Sequence, residues 1–166
     1  MFVRKILYLF VIVLGFAGCS SYRPDPPAPV APIPAPVSSA ERSEALLQAL
    51  LALGVDYKYG GKSHATGFDC SGLVAHIYRE AWGIHLPLNA AGQSQVGMPV
   101  KLAELQAGDL VFYDTLKRPF SHVGIYMGDG KFVHSPKTGA QVRVESMKSA
   151  YWTQRFNGAR RIEPAL

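Results

Sequence analysis

Asp69-Cys70-Ser71-Gly72-Leu73-Val74-Ala75-His76-Ile77-Tyr78-Arg79-Glu80-Ala81-Trp82-Gly83 is the stretch that decides the fold class. Asp69 offers the short oxygen-bearing side chain that accepts from the free N–H groups of a helix start. Apolar residues then recur three and four positions apart, at Leu73, Val74, Ile77, Tyr78 and Ala81. Gly83 suits the left-handed turn that closes a helix. The spacing therefore predicts a helix capped by Asp69 and stopped at Gly83. Upstream, Ser38-Ser39-Ala40-Glu41 reads as a capping box opening an earlier helix through Ala45, Leu46, Ala49, Leu50 and Leu53 to Gly54. Tyr57-Lys58-Tyr59-Gly60-Gly61 and the residues up to Phe68 read as loop. After Pro87 the pattern shortens to β-type runs at 110–113, 123–127, 132–134, 142–144 and 159–162. Helices first and strands after predict an α+β fold with a mostly antiparallel sheet.

The helix start also carries chemistry. Cys70 falls in its first turn, where unsatisfied N–H groups and the positive dipole end favour an anion. A thiolate is such an anion, so the placement is expected to lower the thiol pKa and raise the nucleophilic population. The backbone N–H of Cys70 is a candidate oxyanion donor. A nucleophilic thiol needs a base, and Ser121-His122-Val123-Gly124-Ile125-Tyr126 supplies His122, 52 residues away, at the start of a strand. His134 is the candidate for orienting His122. The two histidines flank one hairpin turning through Gly128-Asp129-Gly130. If Asp129-Gly130 alone formed the turn, residue i would face 259 − i and the two imidazoles would point to opposite sides. With all three residues in the loop, i faces 258 − i, and His122, Gly124 and His134 share a face. His134 then lies diagonal to His122, about 7 to 8 Å away between backbones, which two imidazoles can bridge.

The chain has 166 residues, 48% hydrophobic and 17% charged, enough for one globular domain but not two. Its formal charge is +5, and without Arg4 and Lys5 it is +3. No run of Lys and Arg interleaved with aromatics accompanies this excess, so nucleic-acid binding is not expected. Residues 1–18 have a basic start, an apolar stretch from Ile6 to Phe16, and Ala17-Gly18 before Cys19. That is the plan of a signal peptide, and its apolar stretch is shorter than the roughly 18 residues of a spanning helix. Residues 19–40 form a linker, with prolines at 24, 26, 27, 29, 32, 34 and 36. Extended at about 3.1 Å per residue, the part from Tyr22 to Ala40 reaches about 50 to 60 Å. Residues 41–166 are the candidate domain. The two cysteines raise the question of a disulfide, but acylation of Cys19 would leave Cys70 without a partner.

Phe16-Ala17-Gly18-Cys19 resembles a bacterial lipoprotein box, whose cysteine becomes the acylated first residue. Several acyl chains, at about 0.8 kcal/mol per buried methylene, would hold the protein on a membrane. Ser20 resembles the outer-membrane sorting pattern of Gram-negative lipoproteins, implying a periplasmic, lipid-anchored protein.

The domain itself resembles the NlpC-type, papain-like cell-wall endopeptidases. The resemblance rests on Gly54-Val55-Asp56-Tyr57-Lys58-Tyr59-Gly60-Gly61, Gly67-Phe68-Asp69-Cys70-Ser71-Gly72-Leu73-Val74 and Leu105-Gln106-Ala107-Gly108-Asp109-Leu110-Val111-Phe112. The His122 strand and Phe132-Val133-His134-Ser135 complete it. It implies a papain-like fold, N-terminal helices on the sheet, and cleavage of the amide between the side chain of D-glutamate and the diamino acid of peptidoglycan stem peptides. Cys70 would attack, His122 would shuttle the proton and His134 would orient it. Tyr57 would stabilise the oxyanion, and Asp69 and Ser71 would line the pocket for the stem's N-terminal L-alanine. Many relatives have an arginine where this chain has Leu88, which bears on substrate preference rather than on the catalytic set.

The ligand types of Cys70, His122 and His134 also suit zinc, but no Cys-x-x-Cys or His-x-x-x-His pair accompanies them. No metal or organic cofactor is expected, and a tethered single domain is most simply a monomer. His64, His76 and His85 read as solvent or packing histidines, and Asp109 as a turn residue. Two other readings share the motif set: a non-catalytic wall-binding lipoprotein, and a cysteine acyltransferase or lipid amidase on a related fold.

Overall fold

The computed structural model describes residues 39–163. The expected signal peptide 1–18, the acylated Cys19 and nearly all of the linker 19–40 lie outside the described residues. No helix among those described is long and apolar enough to cross a membrane.

Helix α1 (Ser39–Leu51) packs on helix α2 (Cys70–Trp82). Its contact face is built of Ala45, Ala49 and Ala52, all fully buried, while Leu50 and Leu51 stay more than half exposed. The small side chains let the two helix axes approach. The regular helix ends before the expected Gly54, but Gly54 still makes the left-handed turn, with φ +79°, and sends its N–H to Val142 O at 3.0 Å. Helix α2 has the expected ends. The Asp69 carboxylate accepts from Gly72 N, and Gly83 at φ 66° turns its N–H back to Arg79 and Tyr78 carbonyls. Leu73, Val74, Ile77 and Tyr78 are its core residues.

The stretch before α2, read as loop, contains a two-stranded ribbon, β1 (Lys62–Ser63) with β2 (Gly67–Phe68). Such strands are too short to show a period in sequence. After α2 come α3 (Ala90–Gln93), β3 (Met98–Val100), β4 (Leu110–Tyr113), β5 (His122–Gly128), β6 (Lys131–His134), β7 (Arg143–Ser146), α4 (Ala150–Thr153) and β8 (Phe156–Arg161). The six strands from β3 on form one antiparallel sheet in the order β3-β8-β4-β5-β6-β7. The expected α+β class with a mostly antiparallel sheet is what the chain adopts. Only 110–113 keeps its bounds: 123–127 becomes His122–Gly128, 132–134 becomes Lys131–His134, 142–144 becomes Arg143–Ser146 and 159–162 becomes Phe156–Arg161, while the short edge strand β3 was not expected.

Both sheet faces are covered. Leu110, Phe112, Val123, Ile125 and Val133 pack beneath α1 and α2. On the other face Val111, Tyr113, Phe132 and Ala159 meet Met147 and Trp152, the latter carried by α4. Burying side chains of this size contributes about 1.5–3 kcal/mol each, which holds the sheet to its helices. Asp109 does sit in a turn, its N–H on Gln106 O at 3.0 Å, but its nearly inaccessible carboxylate also takes two bonds from Arg161, at 2.8 and 2.7 Å. That partner, 52 positions away, is invisible to local sequence reading.

The β5–β6 hairpin corrects the expected loop. Asp129 and Gly130, at φ 53° and 71°, form a two-residue turn in which Gly128 faces Lys131. A bulge at Met127 then shifts the ladder, so that Tyr126 faces Phe132 and Ile125 faces Val133. The register beyond the bulge is 258 − i, reached through a two-residue turn plus one extra residue rather than a three-residue loop.

Candidate active site

Three segments converge at the N-terminus of α2. Gly61 lies so close to the helix start that a Cβ on Gly72 would stand 2.0 Å from Gly61 O, and one on Gly61 would stand 2.4 Å from Gly67 O. Both positions are closed to any other residue. Asp69 N donates to Gly61 O at 3.0 Å, and the Asp69 carboxylate accepts from Gly72 N, Ser71 Oγ and Gly60 N at 2.7, 2.9 and 2.9 Å. Asp69 and the buried Ser71 thus lock the turn that presents Cys70. Ser135 Oγ, just past β6, donates to Phe68 O at 2.7 Å and fastens this turn to the sheet.

Cys70 is half-buried and packs against the core under α2. Its thiol is pushed up to about 11, first by burial and then by the Asp69 carboxylate; the backbone N–H groups of Val123, Ser71 and Cys70 work in the opposite direction. The expectation of a depressed thiol pKa is therefore corrected. The helix-end N–H groups do favour the anion, but lost solvation and an adjacent negative charge outweigh them. Tyr57 bridges to Phe68, and its hydroxyl pKa is raised by burial and then by the charges at Cys70 and Asp69, so it remains a proton donor.

His122 and His134 meet as the shared face requires. His122 Nε2 lies 2.7 Å from His134 Nδ1, the rings perpendicular with centroids 5.0 Å apart. Gly124 makes this approach possible, since a Cβ there would stand 3.2 Å from His134 Cβ. Both rings are buried, His134 completely. Burial, then the neighbouring His134, lowers His122 to about 3; burial lowers His134 to about 4 against the opposing pull of Glu145. Both imidazoles are neutral at pH 7.

Because Nε2 of His122 faces His134, Nδ1 is the ring nitrogen outside that contact. Thiolate and imidazolium are each costly alone. Formed together they would attract, by about 4 kcal/mol at 4 Å and an effective dielectric of 20.

Two residues at this site were not found in the sequence. Glu145 Oε1, on β7, lies 3.4 Å from His134 Nε2 and accepts from Arg143 Nε at 2.6 Å. Its other oxygen accepts from Trp152 Nε1. Burial opposes the Glu145 charge, but Trp152 and Arg143 overcome it and hold the carboxyl below the usual range. The Trp152 indole stacks on His122 at 5.6 Å and stands edge-on to His134 at 5.0 Å. The charged alternation of Arg143 and Glu145 was the available signal, but the segment between β6 and β7 gave no register to count.

The remaining histidines are elsewhere. His76 is buried against His64 and Phe68, with ring centroids 5.1 and 5.0 Å away, and takes Arg79 Nη2 at 3.0 Å; His85 is exposed. Leu88 is exposed and, with Lys62, Arg79 and His85, borders a cavity of about 220 Å³. No group of three His, Cys, Asp or Glu among the described residues is arranged to hold a metal ion.

A thiol at the start of a helix, packed on an antiparallel sheet that carries a paired histidine, is an arrangement of the papain-like fold. The family profile of NlpC/P60 matches residues 54–161, and the chain belongs to the NlpC/P60 family. It is 42% identical over 113 residues to the murein DD-endopeptidase MepH of Escherichia coli, covering 66% of this chain and 42% of that protein. It is 38% identical over 112 residues to the γ-DL-glutamyl hydrolase of Bacillus subtilis, covering 67% of this chain and 27% of that protein. The crystal structure of an NlpC/P60 family protein from Bacillus cereus superposes with a TM-score of 0.68 at 34% identity, covering 78% of this chain and 41% of the other. The chain thus spans less than half the length of these relatives.

Proposed function

We propose that this protein is a cysteine endopeptidase acting on peptidoglycan stem peptides at the bond between D-glutamate and the diamino acid. The observation that carries the reading is the 2.7 Å contact between His122 Nε2 and His134 Nδ1, on the strand whose Val123 N–H reaches Cys70 at the start of α2. Cys70 Sγ bonds to the scissile carbonyl carbon as its proton passes to His122 Nδ1. The negative charge moves to the carbonyl oxygen, facing the Cys70 N–H and the protonated Tyr57 hydroxyl. His122 then gives its proton to the leaving amine, and a thioester remains. Water, deprotonated by the same nitrogen, hydrolyses the thioester and restores the thiol. Asp69 and Ser71 border the pocket for the free amine of the stem's L-alanine, with Asp69 supplying the countercharge.

Similarity to MepH favours a second reading of the bond, a cross-link between stems, on the same nucleophile. The rest of the proposal concerns export and anchoring: a signal peptide 1–18, acylation of Cys19, a proline-rich tether 19–40 whose last two residues already belong to α1, and a monomeric domain 41–166 in the periplasm, anchored to the outer membrane. The full chain in detergent, with Cys70→Ala as control, is tested on purified muropeptides with products read by mass spectrometry. Fragments cut after D-glutamate by the parent protein alone are expected; separated cross-linked dimers select the second reading, and intact substrate with a folded, alkylatable protein overturns both.

A further inference from the structure

We infer that Glu145 is a positioning residue that sets the tautomers of both histidines, making the site a four-member relay of Cys70, His122, His134 and Glu145. The inference rests on the catalytic reading above and extends it. A neutral imidazole carries one N–H, and the other nitrogen accepts. For His122 to take the thiol proton at Nδ1, its own hydrogen must sit on Nε2 and point at His134 Nδ1, 2.7 Å away. His134 must then accept at Nδ1, which puts its hydrogen on Nε2.

That nitrogen is fully buried and has no hydrogen-bond partner of good geometry among the described residues. What faces it, at 3.4 Å, is Glu145 Oε1. An ionised carboxylate only accepts, so it selects the Nε2–H form of His134 and, through it, the Nε2–H form of His122. Without Glu145, His134 is free to carry its hydrogen on Nδ1 and donate to His122 Nε2. That arrangement places the His122 hydrogen on Nδ1, where it blocks transfer from the thiol.

The surroundings of Glu145 fix its direction. Glu145 lies opposite Phe132 in the β6–β7 ladder, diagonal to His134 and on the same sheet face. Arg143 holds Oε1 at 2.6 Å, and the Trp152 indole N–H holds Oε2 while its ring covers His122. The carboxylate is thereby turned along the line of the two imidazoles rather than out to solvent.

Long-range ¹H–¹⁵N correlation on the histidine-labelled full chain in detergent at pH 7.5 reads the tautomers without any activity. Both His122 and His134 are expected as Nε2–H; His134 protonated on Nδ1 in the parent protein overturns the inference, whether or not any variant folds. In Glu145→Ala a mixture of tautomers is expected at both rings, with kcat lower by about 10- to 100-fold and KM within about twofold, as for removal of an orienting group that never meets substrate. A folded Glu145→Ala protein that keeps both Nε2–H tautomers and its kcat also overturns it. Failure of the parent protein to cleave muropeptides defeats the proposed function separately, since the tautomer measurement still decides the relay.

Discussion

Gly124→Ala tests whether the imidazole pair depends on the missing side chain of one strand residue. The added Cβ would stand 2.6 Å from both Val133 O and Phe132 Cδ2, and 3.2 Å from His134 Cβ. Ordinary contact begins at 3.4 Å, so β5 and β6 must separate by about 0.8 Å at a point where Val133 O belongs to the ladder and cannot swing away. Carried to the histidines, that displacement stretches the 2.7 Å contact to about 3.5 Å, the outer edge of a hydrogen bond. Overpacking of this kind costs about 1–3 kcal/mol of stability. A misplacement near 1 Å in a catalytic group costs about 100-fold in rate. The assay is kcat/KM on muropeptides beside a urea titration, so that lost rate is measured on protein shown to be folded. Refutation would be a folded Gly124→Ala protein with parental kcat/KM and an unchanged His122–His134 coupling in ¹⁵N spectra, since the space under His134 would then be irrelevant.

Other expectations follow from the buried charges. With His122 and His134 lowered to about 3 and 4, the unfolded chain binds protons below pH 6.5 that the native chain does not, so stability falls as pH drops from 6.5 towards 4. The slope approaches about 2.7 kcal/mol per pH unit for two protons, and urea unfolding that is unchanged between pH 7 and 5 would count against buried neutral imidazoles. Cys70, raised to about 11, should be alkylated by iodoacetamide ever faster as pH rises from 7 to 10; a rate already level at pH 6 would reveal a resting thiolate. Arg161→Met strands the buried Asp109 carboxylate and should lower unfolding free energy by about 3–5 kcal/mol in a urea titration at pH 7.5, with a neutral result removing the pair from the fold's support. Tyr57→Phe should lower kcat by about 10-fold or more without a comparable change in stability, and unaltered kcat would leave the oxyanion to backbone N–H groups.

Local signals were the legible ones. Asp69 and Gly83 bound α2 because caps act within a few residues, and the β5–β6 register could be counted because the hairpin is short. The count succeeded despite the wrong loop, since a bulge at Met127 and a third loop residue shift the ladder equally. What stayed hidden depends on residues distant in the chain. The Asp109–Arg161 pair, the approach of Glu145 to His134 and the placement of Trp152 all require the assembled sheet. The thiol pKa was misjudged for a related reason: a helix end is visible in sequence, whereas burial of Cys70 beside a carboxylate is a property of the packed turn. The four-residue helices α3 and α4 offered too few turns to show a period.

Trp152 gives this protein a built-in optical reporter. Its indole lies nearly parallel to the His122 ring, tilted by 23°, so protonation of that imidazole would place a cation over an excited indole and quench its emission. The chain's other tryptophan, Trp82, packs against Tyr78 at the end of α2. With Trp82 replaced by phenylalanine, the fluorescence of one residue would follow the charge of the His122 imidazole, with no label attached.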